Sequence, residues 1–101
     1  MAGVKIFYAE MCGLCHKAMD YFRENGIDFD AFEVQWERDG WKDTSNAREM
    51  QRLCGETDFV PQIIVNGKHI AGWKNLEPML ESGEFAKLLE RGKPGKYENC
   101  N

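Results

Sequence analysis

Apolar and polar positions change their spacing several times along the chain, and each change predicts a new element. The run from Val4 to Tyr8 is β-branched and aromatic, and its shortness is typical of a buried strand. From Cys15 onward apolar residues recur at helical spacing, and Asn25-Gly26 supplies a stop signal. The segment from Ile27 to Val34 predicts a second strand, parallel to the first because a helix separates them. The first third of the chain therefore predicts a βαβ unit.

A polar loop and a capped helix are predicted next. The loop spans Trp36 to Ser45, and its tryptophans are expected to pack back against the domain. Asn46, with Glu49 three residues later, matches a capping box and predicts a helix that ends at Gly55. Cys54, at the end of the apolar face of this helix, is interpreted as a small core residue.

A β-hairpin is the strongest local signal in the chain. Asn66-Gly67 accepts the positive φ angles of a type I′ turn, and it joins two apolar segments, Gln62 to Val65 and Lys68 to Ala71. Asn75 is predicted to cap a further helix, which Gly83 interrupts.

Composition and charge narrow the class of protein. The chain has 101 residues, of which 43% are hydrophobic, enough for one core and too few for two domains. We expect one domain over residues 1–92 and a polar C-terminal tail over residues 93–101. The net charge of −4, without long runs of one sign, argues against nucleic acid or an anionic membrane as partner. The N-terminus has neither a signal-peptide pattern nor a membrane-length apolar run, so a cytoplasmic location is predicted.

The candidate chemistry lies at Cys12-Gly13-Leu14-Cys15, on the turn from the first strand into the first helix. Exposed N–H groups at a helix N-terminus favour the thiolate of a cysteine placed there. In the cytoplasm a close cysteine pair is more often catalytic or metal-binding than a structural disulfide. A zinc site would need a second pair, and the other two cysteines, Cys54 and Cys100, are isolated. The pair therefore predicts a redox site.

His16 and the two isolated cysteines carry secondary hypotheses. His16 completes the haem-attachment pattern CxxCH, but the missing export signal and the β-rich pattern argue against haem. Four residues after Cys12, a protonated His16 could instead help to hold a thiolate. Cys100 in the tail is either an inert surface thiol or a site of glutathionylation or intermolecular disulfide formation.

The cysteine pair and a segment about fifty residues later, Val60 to Gly72 (VPQIIVNGKHIAG), together resemble the glutaredoxin family. The resemblance implies a thioredoxin-like α/β fold in which helices flank a central four-stranded mixed sheet, in the order βαβ, helix, β-hairpin, helix. It also implies reduction of protein disulfides and of protein–glutathione mixed disulfides, with glutathione as reductant. Cys12 would be the thiolate nucleophile and Cys15 the resolving thiol.

The resemblance further implies a glutathione site. Family members have a cis peptide bond at the position of Val60-Pro61, facing the nucleophile, and a Gln or Arg for the glycyl carboxylate at the position of Arg48. The start of the helix after the hairpin would hold the γ-glutamyl end. The residues assigned to glutathione on this basis are Leu14, Arg48, Val60, Pro61, Gly72, Trp73, Lys74 and Asn75.

Two alternatives stay open within the family. Some members whose motif lacks proline bind a [2Fe–2S] cluster between two subunits, with the nucleophilic cysteine and glutathione as ligands, and here Gly13 stands in place of that proline. Cys12 would then be a metal ligand; otherwise no metal is expected. The other alternative is a hydrogen donor to ribonucleotide reductase that draws electrons from thioredoxin reductase. A monomer acting on disulfide-containing or glutathionylated proteins is expected.

Overall fold

The computed structural model describes residues 3–91, with side chains through residue 90. Four helices and six strands follow one another in the order β1 (Val4–Tyr8), α1 (Gly13–Glu24), β2 (Asp30–Glu33), β3 (Trp36–Glu37), β4 (Gly40–Trp41), α2 (Ser45–Cys54), β5 (Gln62–Val65), β6 (Lys68–Ala71), α3 (Gly72–Ser82) and α4 (Glu84–Arg91). No helix among these residues is long and apolar enough to cross a membrane. Cys100 and the predicted tail lie outside the described residues.

The central sheet has four strands in the order β2-β1-β5-β6. β1 pairs in parallel with β2 and antiparallel with β5, and β5 pairs antiparallel with β6. Asn66 and Gly67 both have positive φ, 48° and 89°, as the predicted hairpin turn requires. The predicted α/β fold with a mixed sheet and a βαβ unit is confirmed.

The second strand is shorter than the predicted segment from Ile27 to Val34. The amide of Ile27 donates to the carbonyl of Phe22 at 2.8 Å and so closes the end of α1. Phe29 turns its ring onto the ring of Phe22, with 5.4 Å between centroids. Ile27 and Phe29 therefore pack between α1 and the sheet, and the strand itself begins only at Asp30.

The segment predicted as a loop from Trp36 to Ser45 contains a small hairpin, β3 paired with β4. The rings of Trp36 and Trp41 pack edge to face, 4.7 Å apart, and so bring the two short strands together. The Trp41 indole N–H donates to the carbonyl of Thr57 at 2.7 Å, while Trp36 stays 49% exposed. Prediction of a plain loop was wrong because it ignored this cross-strand aromatic pair.

Two predicted helix starts were also wrong. Thr44 caps α2, since its Oγ1 accepts the amide of Ala47, whereas the Asn46 side chain donates to the Glu33 carbonyl. α3 begins at Gly72, so Asn75 lies within its first turn and donates to the carbonyl of Ala71. In both cases the asparagine side chain donates a hydrogen bond to a backbone carbonyl and does not accept one from the free amide groups of a helix N-terminus.

The sheet carries a hydrophobic core on each face. Alternate residues of β1 point to opposite sides, as the strand period requires. One face packs on α1, α3 and α4 and buries Val4, Ile6, Cys15, Ala18, Met19, Phe22, Ile63, Val65, Ile70, Leu76, Phe85 and Leu88. The other face packs on α2 and buries Phe7, Val34, Ala47 and Met50. The turn after β1, which carries the cysteine pair, is therefore fixed from both sides.

Candidate active site

Cys12 caps α1 with its own sulfur. Its backbone is extended (φ −89°, ψ 107°), and its Sγ accepts the amide N–H of Cys15 at 3.2 Å. The same sulfur lies 3.7 Å from the carbonyl oxygen of Val60, to which the thiol donates. A partly exposed sulfur at a helix N-terminus is accessible to a disulfide and lies where negative charge is favoured.

Cys15, one turn into the helix, is completely buried in the core beneath α1. Burial is the main cause that raises the pKa of its thiol, and the hydrogen bond with Cys12 and the charge of Cys12 raise it further. Both cysteines are free thiols. The pair is thus chemically unequal, with one sulfur reachable and the other kept protonated.

Val60 and Pro61 lie beside Cys12 and are joined by a cis peptide bond. The Pro61 carbonyl accepts the amide of Gly72 at 2.8 Å, which ties this segment to the start of α3. Gly72 has φ of 80°, and a Cβ there would come within 3.0 Å of the Phe59 ring. The Val60-Pro61 segment therefore links the Cys12 turn to the start of α3.

A buried glutamine supports the Val60-Pro61 segment from behind. Gln62 is 0% exposed, and its Nε2 donates to the carbonyl of Phe59 at 2.8 Å. Because the Phe59 carbonyl can only accept, the amide nitrogen of Gln62 must face it, and the amide oxygen therefore faces His69. Gln62 Oε1 accepts the His69 Nε2–H at 2.6 Å. Neither Gln62 nor His69 was predicted from the sequence to have a role. Gln62 is nevertheless a polar residue in an apolar strand, and a buried polar side chain needs a hydrogen-bond partner.

The His16 side chain is hydrogen-bonded to the turn before Cys12, and its Nε2–H points to that turn and not to the Cys12 sulfur. Its Nε2–H donates to the carbonyl of Glu10 at 2.8 Å, and its ring lies edge-on to Tyr8. The side chain therefore fixes the backbone that leads into the nucleophile. Its sequence-based role as a thiolate partner stays a prediction.

The remaining residues assigned to glutathione differ in their exposure. Leu14 is 49% exposed beside the pair. Lys74 and Asn75 are exposed in the first turn of α3, and Trp73 is half-buried, with the Lys17 ammonium 5.0 Å from its ring centroid.

Arg48 is engaged by a neighbouring carboxylate. It projects from α2 into solvent and forms an ion pair with Asp43 at 3.4 Å. Both side chains are mostly exposed, so a carboxylate ligand could exchange with Asp43 at little free-energy cost. The contacts described above join Cys12, Cys15, Val60, Pro61 and Gly72, whereas Arg48 is held by Asp43.

Cys54 lies apart from this centre at the end of α2. It is half-buried, and burial raises the pKa of its thiol to about 11. This agrees with a packing role. No group of three or more His, Cys, Asp or Glu side chains among residues 3–90 is placed to hold a metal ion.

Comparison with known proteins identifies the family. A family model described as Glutaredoxin matches residues 4–70. The chain belongs to the glutaredoxin family. Glutaredoxins are thiol–disulfide oxidoreductases, and the match covers the cysteine pair and all of the hairpin except Ala71.

Individual glutaredoxins resemble the chain over most of its length. It is 36% identical to glutaredoxin-C4 of Arabidopsis thaliana over 89 residues, which cover 85% of this chain and 61% of that protein. It is 31% identical to glutaredoxin 3 of Escherichia coli K12 over 90 residues, 89% of this chain and 100% of that protein. A wheat glutaredoxin structure superposes with a TM-score of 0.70 at 27% identity, over 91% of this chain and 82% of that one. The chain thus spans less than two thirds of the Arabidopsis relative and the whole length of the bacterial one.

Proposed function

We propose that this glutaredoxin reduces protein disulfides and protein–glutathione mixed disulfides with glutathione as the electron donor. The observation that carries the proposal is the unequal pair, in which Cys12 is accessible and accepts the Cys15 amide while Cys15 is buried. Only a thiolate attacks a disulfide, so this inequality supports the proposal that Cys12 is the nucleophile.

In the first step the Cys12 thiolate attacks the glutathione sulfur of a protein–glutathione mixed disulfide. A Cys12–glutathione disulfide forms, the bond to the substrate sulfur breaks, and the substrate leaves as a thiolate that takes a proton from water. A second glutathione thiolate then attacks the glutathione sulfur on Cys12. Oxidised glutathione departs and the Cys12 thiolate is regenerated.

For a protein disulfide, Cys15 has the resolving role. Attack by Cys12 leaves a mixed disulfide between Cys12 and the substrate. Two causes that raise the pKa of Cys15, the hydrogen bond with Cys12 and the charge of Cys12, are then removed. The Cys15 thiol can lose its proton and attack the Cys12 sulfur, which releases the substrate thiolate and leaves a Cys12–Cys15 disulfide for glutathione to reduce.

Glutathione is proposed to lie across the Cys12 turn, the Val60-Pro61 segment and the start of α3. The Val60 backbone would pair with its cysteinyl unit next to Pro61, with Leu14 alongside. Arg48 would exchange Asp43 for the glycyl carboxylate. The γ-glutamyl end would lie at the start of α3, where the amides of Trp73 and Lys74 have no partner within the helix.

Turnover of a glutathionylated substrate, coupled to glutathione, tests these roles. Cys12→Ser is expected to abolish activity, whereas Cys15→Ser should keep much of the activity on this substrate and lose reduction of protein disulfides. Cys54→Ser is the matched control and should change neither rate. Equal loss in the Cys12 and Cys15 variants on the glutathionylated substrate would contradict the assignment.

Neither alternative has a specific observation in its favour, so neither is proposed. A [2Fe–2S] cluster would take Cys12 as its ligand from this chain, with glutathione and a second subunit supplying the others. The domain limits, the monomeric state and the cytoplasmic location stay predictions from the sequence.

A further inference from the structure

A groove of about 590 Å³ runs between α1 and α3 and begins at Gly13, the residue after the nucleophile. Three partly buried side chains, Tyr21, Trp73 and Leu80, give it an apolar floor. The start of α3 is where the γ-glutamyl end of glutathione is proposed to lie. The groove continues from there along α3 as far as Glu81. It therefore shares Trp73 with the proposed glutathione site and extends away from that site along α1 and α3.

The rim of this groove is acidic on both sides. Asp20 and Glu24 line it from α1, and Glu77 and Glu81 line it from α3. Within each helix the two carboxylates are four residues apart, a spacing at which like charges on the same face repel one another. Two pairs of like charges thus face one groove.

Basic residues near the groove offset only part of this charge. Arg23 forms an ion pair with Asp20 at 3.0 Å, and the Lys17 ammonium lies over the Trp73 ring. Glu24 and Glu77 have no ion pair within residues 3–90, and the same holds for Glu81. Three of the four rim carboxylates therefore have no ion pair among the residues described, which a cationic occupant would supply.

The shape of the acidic rim fits an extended chain better than a single ion. No three acidic, histidine or cysteine side chains in the described part of the chain are close enough to hold a metal ion together. From Gly13 to Glu24 the helix rises by about 16 Å at ~1.5 Å per residue. An extended peptide covers that length with about five residues at ~3.3 Å each.

We propose that this groove receives a lysine- or arginine-bearing segment of the protein substrate, within about five residues of the cysteine whose disulfide Cys12 attacks. The apolar floor takes the aliphatic stems of these side chains, and the carboxylates take their charges. The groove thereby selects proteins whose reactive cysteine has basic neighbours. This inference rests on the proposed function and names a substrate class for it.

The test compares three glutathionylated peptides that differ only at the positions three to five residues from the cysteine, which carry lysine, glutamine or glutamate. The kcat/KM of the unmodified protein is expected to be highest for the lysine peptide and lowest for the glutamate peptide. The difference should shrink as salt is raised from about 0.01 M to 1 M, where the Debye length falls from about 30 Å to 3 Å. In Glu77→Gln/Glu81→Gln the lysine peptide should lose about threefold to tenfold, the effect of two exposed charge pairs.

A matched double variant removes the same charge elsewhere. Glu37 and Glu56 are exposed and lie outside the groove, so Glu37→Gln/Glu56→Gln should keep the preference for the lysine peptide. Equal loss in the two double variants would overturn the proposal, because net charge alone would then explain the preference. Equal rates for all three peptides with the unmodified protein would overturn it as well, while leaving the glutaredoxin activity intact.

A binding measurement separates this proposal from the proposed function. Peptides in which serine replaces the cysteine cannot react, and their binding is followed by the NMR signal of the Trp73 indole N–H. A shift with the lysine peptide and none with the glutamate peptide would support the groove even if no peptide were turned over. No shift with either would refute it even if turnover were normal.

Discussion

Gln62 offers the sharpest test of how the active-site segment is held. The change Gln62→Leu keeps the volume of the side chain and removes both of its hydrogen bonds. The Phe59 carbonyl then loses its donor, and the His69 imidazole loses its acceptor. The His69 side chain is exposed and can turn to water, whereas the Phe59 carbonyl faces a side chain that is fully buried.

The expected loss of stability follows from these two bonds. Each net hydrogen bond contributes about 1 kcal/mol, and an acceptor left unsatisfied adds to that loss. The extra apolar surface of leucine offsets part of it, so we expect the free energy of unfolding to fall by about 2 kcal/mol. For a domain of this size that corresponds to a Tm lower by roughly 8–16 °C.

The measurement is a double-mutant cycle by urea unfolding. Gln62→Leu, His69→Ala and the double variant are compared with the unmodified protein, and the coupling energy is expected to be about 0.5–1.5 kcal/mol. Gln51→Leu is the matched control, because Gln51 is exposed on α2 and should change stability by less than ~0.5 kcal/mol. Because Gln62 holds the backbone next to Val60, Gln62→Leu should also lower kcat/KM, by up to roughly tenfold.

Two results would refute this reasoning. A Gln62→Leu variant as stable as the Gln51→Leu control would show that the buried amide contributes nothing net. A coupling energy below ~0.3 kcal/mol would mean that Gln62 and His69 act independently despite their 2.6 Å contact.

Two further predictions concern the core and the pH dependence. Phe22 is fully buried and packs on the rings of Phe29 and Phe85, so Phe22→Ala should lower the free energy of unfolding by about 3–5 kcal/mol. Phe59→Ala is the control and should cost far less, because the Phe59 side chain is 47% exposed. Equal losses of the two variants in denaturant unfolding would contradict the packing argument. The His69 side chain is exposed, but its imidazole is partly desolvated by its neighbours, and this desolvation lowers its pKa below the usual 6.5. As the pH falls through 6.5, the unfolded chain therefore binds a proton before the folded protein does, and stability should decrease. His69→Gln should reduce this decrease when unfolding is measured between pH 8 and pH 5, and an unchanged profile would count against the argument.

The sequence predicted the elements whose signals are local. β1 and the hairpin strands were predicted at their observed bounds, because hydrophobic run length and the Asn66-Gly67 turn are decided by neighbouring residues. The unequal cysteine pair was also predictable, since position relative to the helix start determines which thiol is buried.

The parts that were missed depend on partners distant in the chain. The β3–β4 hairpin forms because Trp36 meets Trp41 and the indole of Trp41 finds the Thr57 carbonyl, 16 residues away. Asn46 does not cap α2, because its side chain donates to the carbonyl of Glu33. A sequence pattern cannot show this contact, since the two residues lie on different elements. Gln62 likewise acquired its role only when the sheet brought His69 beside it.

The thiol of Cys12 and the carbonyl of Val60 are separated by 48 positions in the sequence. Contacts of such separation form only after a large loop has closed, so they depend on the cooperative formation of the sheet. A peptide that contained only the first strand and helix would carry both sulfurs but would lack the acceptor on Val60 and the burial that distinguishes Cys15. The difference in reactivity between the two cysteines is therefore a property of the folded domain, and any opening that separates β5 from β1 would return them to an ordinary pair of thiols.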